Sequence, residues 1–317
     1  MSVFVWTNPD EVTVGDKRSV ITIGNFDGVH RGHRFVLENL IGHAATTGSV
    51  SVVVTFDPHP ALVHRPESAP PLLTGLRDKL ELLAAEGVDA TLVLPYSLEF
   101  SQLTPRDFVK KYVVDVLHAR LIVIGRDVRF GRENAGDVHT LEELGREFGF
   151  VVHVVDDFGE PSGGERWSSS VVRQLVRSGE MGAVTALLGR PHRMRGEVVH
   201  GDARGRELGF PTANMSQSSD GMIPADGVYA GWLSVVDGGR ELQQMPAAIS
   251  IGTNPTFHGE QRRVESYVID RKGLDLYGDE VIVEFVQRLR PTLTFESMDA
   301  LIVQMGDDVE KARLILR

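Results

Sequence analysis

Residues Val20 to Ile23 form a short apolar run that reads as a buried strand. The decapeptide Gly24-Asn25-Phe26-Asp27-Gly28-Val29-His30-Arg31-Gly32-His33 follows, and then a helix-like segment, Arg34 to Ala45. A strand, a glycine-rich turn and a helix start carrying two histidines make a binding site for nucleotide phosphates. Backbone N–H groups at a helix N-terminus point outward and carry partial positive charge. Gly24, Gly28 and Gly32 let the chain turn tightly and let a phosphate approach the backbone. His30 and His33 can donate hydrogen bonds to oxygens where charge builds up in a transition state.

The segments that follow repeat the alternation. Val50–Phe56, Ala90–Leu94, Leu121–Gly125 and Val151–Val155 read as buried strands, and Leu76–Ala85 and Thr140–Phe148 as helices. Thr104-Pro105-Arg106-Asp107 reads as an N-cap, a proline at the first helical position and an acid in the first turn of a helix ending near Leu117. This order implies a parallel sheet with helices on both faces, with ligands at the carboxyl ends of the strands. The second half changes character. Met194–Gly201, Val228–Val236, Met245–Ile251, Val264–Ile269 and Val281–Leu289 are strand candidates separated by turn signals such as Asp226-Gly227 and Asp237-Gly238-Gly239. A single late helix, about Ser297 to Leu316, follows them. Strands in series predict an antiparallel barrel.

A chain of 317 residues is long for one core. The boundary is expected near Leu188-Gly189-Arg190-Pro191, giving domains 1–188 and 189–317. The fold class is therefore α/β plus all-β: a Rossmann-like domain with a parallel sheet, then an antiparallel β-barrel with a terminal helix. A formal charge of −11 argues against a general nucleic-acid binder, though a pocket can still be locally positive. With no cysteine, disulfides and thiolate metal ligands are excluded. No secretory signal and no apolar run of membrane-spanning length is visible, so a cytoplasmic location is the default expectation and no membrane partner is implied. The oligomeric state is not set by these features.

Four further runs carry chemistry in the first half. Thr55-Phe56-Asp57-Pro58-His59-Pro60 closes the second strand, Gly125-Arg126-Asp127-Val128-Arg129-Phe130-Gly131 follows a later one, and a loop continues to Asp137. Ser168-Ser169-Ser170-Val171-Val172-Arg173 places hydroxyls at a helix start, where they cap orphan N–H groups or donate to phosphate, and Arg173 offers a planar fork. No Gly-x4-Gly-Lys-Ser/Thr occurs, so a P-loop mechanism is excluded. In the second half, Gly201-Asp202-Ala203-Arg204-Gly205-Arg206-Glu207-Leu208-Gly209-Phe210-Pro211-Thr212-Ala213-Asn214 and Val264-Glu265-Ser266-Tyr267-Val268-Ile269-Asp270 stand out.

In this order the motifs resemble the bacterial bifunctional riboflavin kinase/FAD synthetases, from about Ser19 to Ala312. The resemblance implies two reactions: riboflavin and ATP to FMN and ADP in the second domain, and FMN and ATP to FAD and pyrophosphate in the first. It implies ATP as co-substrate, Mg²⁺ as cofactor, and riboflavin, FMN and FAD as substrates or products. For adenylyl transfer it implies that His30, His33, Ser169, Ser170 and Arg173 stabilise the triphosphate. Gly24, Asn25, Phe26, Asp27, Gly28, His59, Asp127 and Arg129 would bind the nucleotide. Val128 stands where relatives carry phenylalanine, Ser170 where they carry threonine, and Val172 where they carry isoleucine. For the kinase it implies Glu265 as the base that accepts the ribityl proton. Gly201, Gly205, Arg206, Gly209 and Pro211 would wrap the nucleotide, with Thr212 and Asn214 as oxygen ligands for Mg²⁺. Gly227, Val228, Tyr229, Asn254 and Arg290 would shape the flavin pocket. Bland alternatives stay open for Arg126, Arg129 and Arg132 (a solvated loop) and for Arg290 (a strand-end arginine). A flavin-sensing regulator retaining only kinase activity is the alternative from another class. A transferase for another phosphorylated vitamin, such as pantetheine phosphate, would not need the second half.

Overall fold

The computed structural model describes residues 3–15, 17–156, 167–201, 209–256, 259–271 and 273–317. Compactness divides the chain into two units. One comprises Met1–Pro70 and Leu76–Ser168, the other Pro71–Gly75 and Ser169–Arg317.

Among the described residues the first unit holds six parallel strands: β1 (Phe4–Trp6), β2 (Ser19–Ile23), β3 (Val50–Asp57), β4 (Ala90–Pro95), β5 (Ala119–Gly125) and β6 (Val151–Val155). Their order is β1-β4-β3-β2-β5-β6. The chain therefore steps outward from β2 to β3 and β4 on one side, then returns to place β5 on the other side of β2. Such a reversal opens a crevice at the carboxyl ends of the strands, and β2 is the strand that leads into the histidine motif. Helix α1 (Arg31–Thr47) crosses from β2 to β3, burying Leu37, Leu40 and Ala44 and ending at Gly48 in the left-handed conformation. The helix starts at Arg31, earlier than the apolar spacing suggested, because His30 caps it. Helices α2 (Pro60–His64) and α3 (Leu76–Ala85) join β3 to β4. Helix α4 (Pro105–Phe108) runs on as a π-helix, Val109–Val116, with Thr104 accepting the Asp107 N–H as its cap. Helix α5 (Val138–Phe148) joins β5 to β6. Apolar clusters cover both faces of the sheet, one around Val52, Leu92, Ile122 and Leu141, the other around Val20, Leu37, Val53 and Val123.

In the second unit, α6 (Ser169–Ser178) and α7 (Met181–Leu188) precede seven strands. These are β7 (His192–Val199), β8 (Ala213–Met215), β9 (Gly227–Asp237), β10 (Arg240–Glu241), β11 (Met245–Thr256), β12 (Gly259–Val268) and β13 (Glu280–Arg290). Every pairing is antiparallel, and β13 also pairs with β9. The path β9-β11-β12-β8-β7-β13 thus closes into a six-stranded barrel, with β10 attached outside the ring. Helix α8 (Met298–Ile315) follows, capped by Ser297. One core joins Tyr229, Leu233, Ile249, Val283 and Phe285 of the strands to Val172, Val176, Val184 and Leu188 of the two helices. A smaller one packs Val309 and Ala312 of α8 on Ala230 and Ala248.

Closure depends on a close approach at Gly231. A Cβ there would lie 2.0 Å from the Glu284 carbonyl oxygen and 2.5 Å from Ile249 Cδ1. The opposed groups are backbone and a core methyl, so neither can yield freely. Gly231→Ala should destabilise the second unit by about 3 kcal/mol, read as a lowered urea midpoint against wild type.

Candidate functional site

In the first unit the motif turn stands at the exit of β2. Phe26 and Val29 have φ of 49° and 37°, and Gly28 has φ of 79°. Positive φ is costly for a β-branched residue, and the turn is held by burial: Phe26 is 3% and Val29 1% exposed. Asp27 and Gly28 are buried with them, whereas Asn25 is exposed. His30 Nδ1 accepts the His33 N–H at 3.3 Å, capping α1. The acceptor role leaves the His30 proton on Nε2, so this ring donates from that atom. Gly32 leaves room for the ring, since a Cβ there would sit 3.1 Å from His30 Nδ1. The His30 and His33 rings stack at 3.7 Å, and Phe26 lies 5.0 Å from His33. His33 Nδ1 is buried with no hydrogen-bond partner among the described residues. Desolvation, followed by the charges of His30 and Lys79, pushes the His33 pKa well below its ordinary value. The ring is therefore neutral near pH 7.

Two other expected segments also stand at strand exits. His59 follows β3 and caps α2 by accepting the Ala61 N–H at 3.1 Å through Nδ1. Asp127 and Arg129 follow β5; both are exposed, and Arg129 donates to the Val128 carbonyl at 2.8 Å. Arg126 pairs with Asp156. Val128 is half-buried against the core cluster that includes Phe130. The carboxyl ends of β2, β3 and β5, neighbours in the sheet, thus carry Gly24–His33, His59 and Asp127. Ser169, Ser170 and Arg173 start α6 in the other unit. Arg173 is buried there and donates through Nε to the Pro71 carbonyl at 2.9 Å.

In the second unit a cavity of about 370 Å³ brings together Thr212, Gly227, Val228, Glu265 and Arg290. Strand β8 pairs with β12 so that Asn214 lies opposite Glu265. Thr212 Oγ1 donates to Glu265 Oε2 at 3.3 Å, and Asn214 Nδ2 donates to the Thr212 carbonyl at 3.3 Å. Asn214 Oδ1 is buried with no partner among the described residues. Gly201 lies against the Asn214 amide, Gly209 has φ of 85°, and Pro211 is exposed. Gly205, Arg206 and the side chain of Asn254 lie outside the described residues. Arg290 lines the cavity and pairs with buried Asp308 of α8 at 2.7 Å. Tyr229 does not line the cavity. It is fully buried in the core, 5.5 Å from Phe285, and donates to the Ala225 carbonyl at 2.5 Å. Alternation along β9 is the reason, since Val228 takes the cavity face and its neighbour must take the other. Burial pushes the Tyr229 hydroxyl up to about 12, so it stays protonated.

Both halves of the chain match family models, "FAD synthetase" over residues 13–171 and "Riboflavin kinase" over residues 188–316. A bifunctional riboflavin kinase/FMN adenylyltransferase of Escherichia coli K12 is 37% identical over 93% of this chain and 91% of its own length. The protein of the same name from Listeria monocytogenes is 36% identical over 94% of this chain and 92% of its own. The chain belongs to the bifunctional riboflavin kinase/FMN adenylyltransferase family. A solved Streptococcus pneumoniae structure, named a macrolide-efflux protein, has a TM-score of 0.86 at 31% identity, covering 99% of both chains. Among the described residues no helix is long and apolar enough to cross a membrane.

Sequence reasoning missed three side chains at these family sites. Asp308 lies 18 positions beyond Arg290 and has no local signal. Arg262 donates to Asp226 Oδ1 at 2.6 Å, and to the Ile223 carbonyl at 3.3 Å, tying down the turn before Gly227. Lys79 sits within the leucine spacing of α3 and is nonetheless buried.

The His33 environment sets a pH dependence. In the unfolded chain the ring binds a proton near its ordinary pKa of about 6.5; in the folded chain it does so only at lower pH. The unfolded state then holds more protons in that window, so stability falls as pH drops below about 6.5. Urea unfolding of wild type and His33→Gln across that window should show a shallower pH slope in the variant. Equal slopes would remove His33 as the cause.

Proposed function

We propose that this chain phosphorylates riboflavin with ATP to give FMN in residues 189–317, and adenylylates FMN with ATP to give FAD and pyrophosphate in residues 1–188. Family membership over both halves supports the pair of activities, and no observation favours a kinase-only regulator. The observation that carries the reading is the cavity that gathers Glu265, Thr212, Val228 and Arg290 on one face of the barrel. A flavin fits its apolar lining, and a hydroxyl placed there is within the domain of a carboxylate. The first family model ends at 171 and the second begins at 188, which supports a division of labour between those residues, and the compact units divide at Ser168 and Ser169.

For the kinase, Glu265 accepts the proton of the ribityl hydroxyl as its oxygen bonds to the γ-phosphorus, and ADP leaves with the electron pair of the broken P–O bond. Val228, Gly227 and Arg290 position the flavin. Gly201, Gly205, Arg206, Gly209 and Pro211 are assigned to the nucleotide on their motif, as is Asn254 to the flavin. Thr212 and Asn214 suit Mg²⁺: the unmet Asn214 Oδ1 is a hard oxygen donor, and the Thr212 hydroxyl points its proton at Glu265, leaving one lone pair beside the one that accepts from Asn214 Nδ2. Bound there, the ion would neutralise phosphate charge.

For adenylyl transfer, an FMN phosphate oxygen bonds to the α-phosphorus and the bond to the β-phosphate oxygen breaks, with no proton to move. Alignment and charge stabilisation carry the rate. The α1 N-terminus and the His30 and His33 rings donate to phosphate oxygens; Asn25, Phe26, Asp27, His59, Asp127 and Arg129 hold the nucleotide. Ser169, Ser170 and Arg173 are assigned phosphate contacts on their motif. The substrates are small molecules, and the cytoplasm is the expected location.

Two separate sites predict separable losses. Glu265→Gln should lower FMN formation at least about a hundredfold and leave FAD formation from supplied FMN intact. His30→Ala with His33→Ala should do the reverse. Loss of both activities in either variant, with the fold retained, contradicts independent sites.

A further inference from the structure

Lys79 is 6% exposed, an uncommon state for a lysine. Its ammonium donates to the Asn25 carbonyl at 3.3 Å, the Thr55 hydroxyl at 3.2 Å and the Phe56 carbonyl at 3.3 Å. Three protons meet three acceptors, and none of those acceptors carries a charge. Thr55 donates onward to the Asn25 carbonyl at 3.2 Å, closing a small ring of bonds. These acceptors occupy particular places. Asn25 is in the motif turn that leaves β2, and Thr55 and Phe56 are at the end of β3, just before Asp57 and His59. A helix side chain thus couples the two neighbouring strand exits from which the phosphate-facing segments start.

The ammonium has no carboxylate among its three hydrogen-bond acceptors. Burial disfavours the cation, and Asp27 from the turn and Asp57 from β3 favour it without bonding to it in the contacts above. On the histidine side, His30 and Lys79 are the charged or titratable groups acting on His33, with the Phe26 ring beside it.

We propose that Lys79 is a positioning residue for adenylyl transfer: it locks the β2 and β3 exits in one spacing and sets a cationic side chain beside the histidine motif. This rests on the adenylyltransferase reading of the first unit. The lysine has no hydrogen left for a phosphate, so it acts through the turn and through the field it exerts there. A triphosphate arriving at the turn meets a cradle already in place, which lowers the reorganisation needed to align the α-phosphorus.

The test uses the full-length chain and its Lys79→Met and Lys79→Arg variants. FAD formation from FMN and ATP is measured alongside FMN formation from riboflavin, and histidine ¹⁵N resonances are followed against pH. Lys79→Met should lower kcat for FAD formation by about tenfold or more, change the ATP KM far less, and leave FMN formation unchanged. The His33 titration should move to higher pH, because the cation opposing its protonation is gone. Lys79→Arg keeps the charge and should hold the His33 titration near its wild-type position while restoring part of kcat. Full kcat in a folded Lys79→Met, or a His33 titration that does not move in it, overturns the proposal. If Lys79→Met does not fold, Lys79→Arg decides: a His33 that titrates in its ordinary range there overturns it equally. A wild-type chain that makes no FAD from FMN removes the adenylyltransferase reading and the proposal with it.

Discussion

A strand buried on one face has only its other face to offer a ligand, and the second unit is built on that constraint. Along β9, β11 and β12 the residues Tyr229, Leu233, Ile249 and Val264 fill the core. Their neighbours Val228, Ser250 and Glu265 line the cavity. The Glu265 carboxylate is held in place by the packing of the residues on either side of it. Moving the register by one residue would bury Glu265 among aliphatic side chains and expose the core. Closure of the ring through β9 and β13 removes the slack that would permit such a slip.

The first unit meets a different requirement with the same economy of parts. A helix start has backbone donors that need partners. In α1 one of them is satisfied by His30, a residue of the motif itself. That bond fixes which ring nitrogen carries the proton. The same ring stacks on His33, whose remaining nitrogen is left unmet in a buried position. Capping, tautomer and ring stacking are therefore one arrangement, placed at the point where the strand order reverses.

Signals confined to one stretch of chain were legible in the sequence. The cap and proline at Thr104 and Pro105, the leucine spacing of Leu76–Ala85 and the late helix from about Ser297 to Leu316 all correspond to observed elements. The runs Gly24–His33, Thr55–Pro60 and Gly125–Gly131 also fall at strand ends, because the glycines and prolines that mark them are what ends a strand. Features set by distant partners were not legible. Strands β1 and β8 have three residues each and exist through pairing with β4, β7 and β12. The assignment of α6 and α7 to the barrel's compact unit follows from packing of Val172 and Val184, residues that suit either unit by composition. Tyr229 was grouped with its motif neighbours, and only the pleat separates it from them. The burial of Lys79 was not legible because its three acceptors lie 23 to 54 positions away.

One chain carries both reactions, phosphorylation of riboflavin and adenylylation of FMN. A chromatographic time course of the purified chain with riboflavin, ATP and Mg²⁺, resolving riboflavin, FMN and FAD, tests it most directly. The account predicts that FMN rises first and FAD follows as FMN is consumed. FMN that accumulates without FAD, even when FMN is supplied at the start, would contradict it and leave the first unit without the adenylyl-transfer role assigned to His30 and His33.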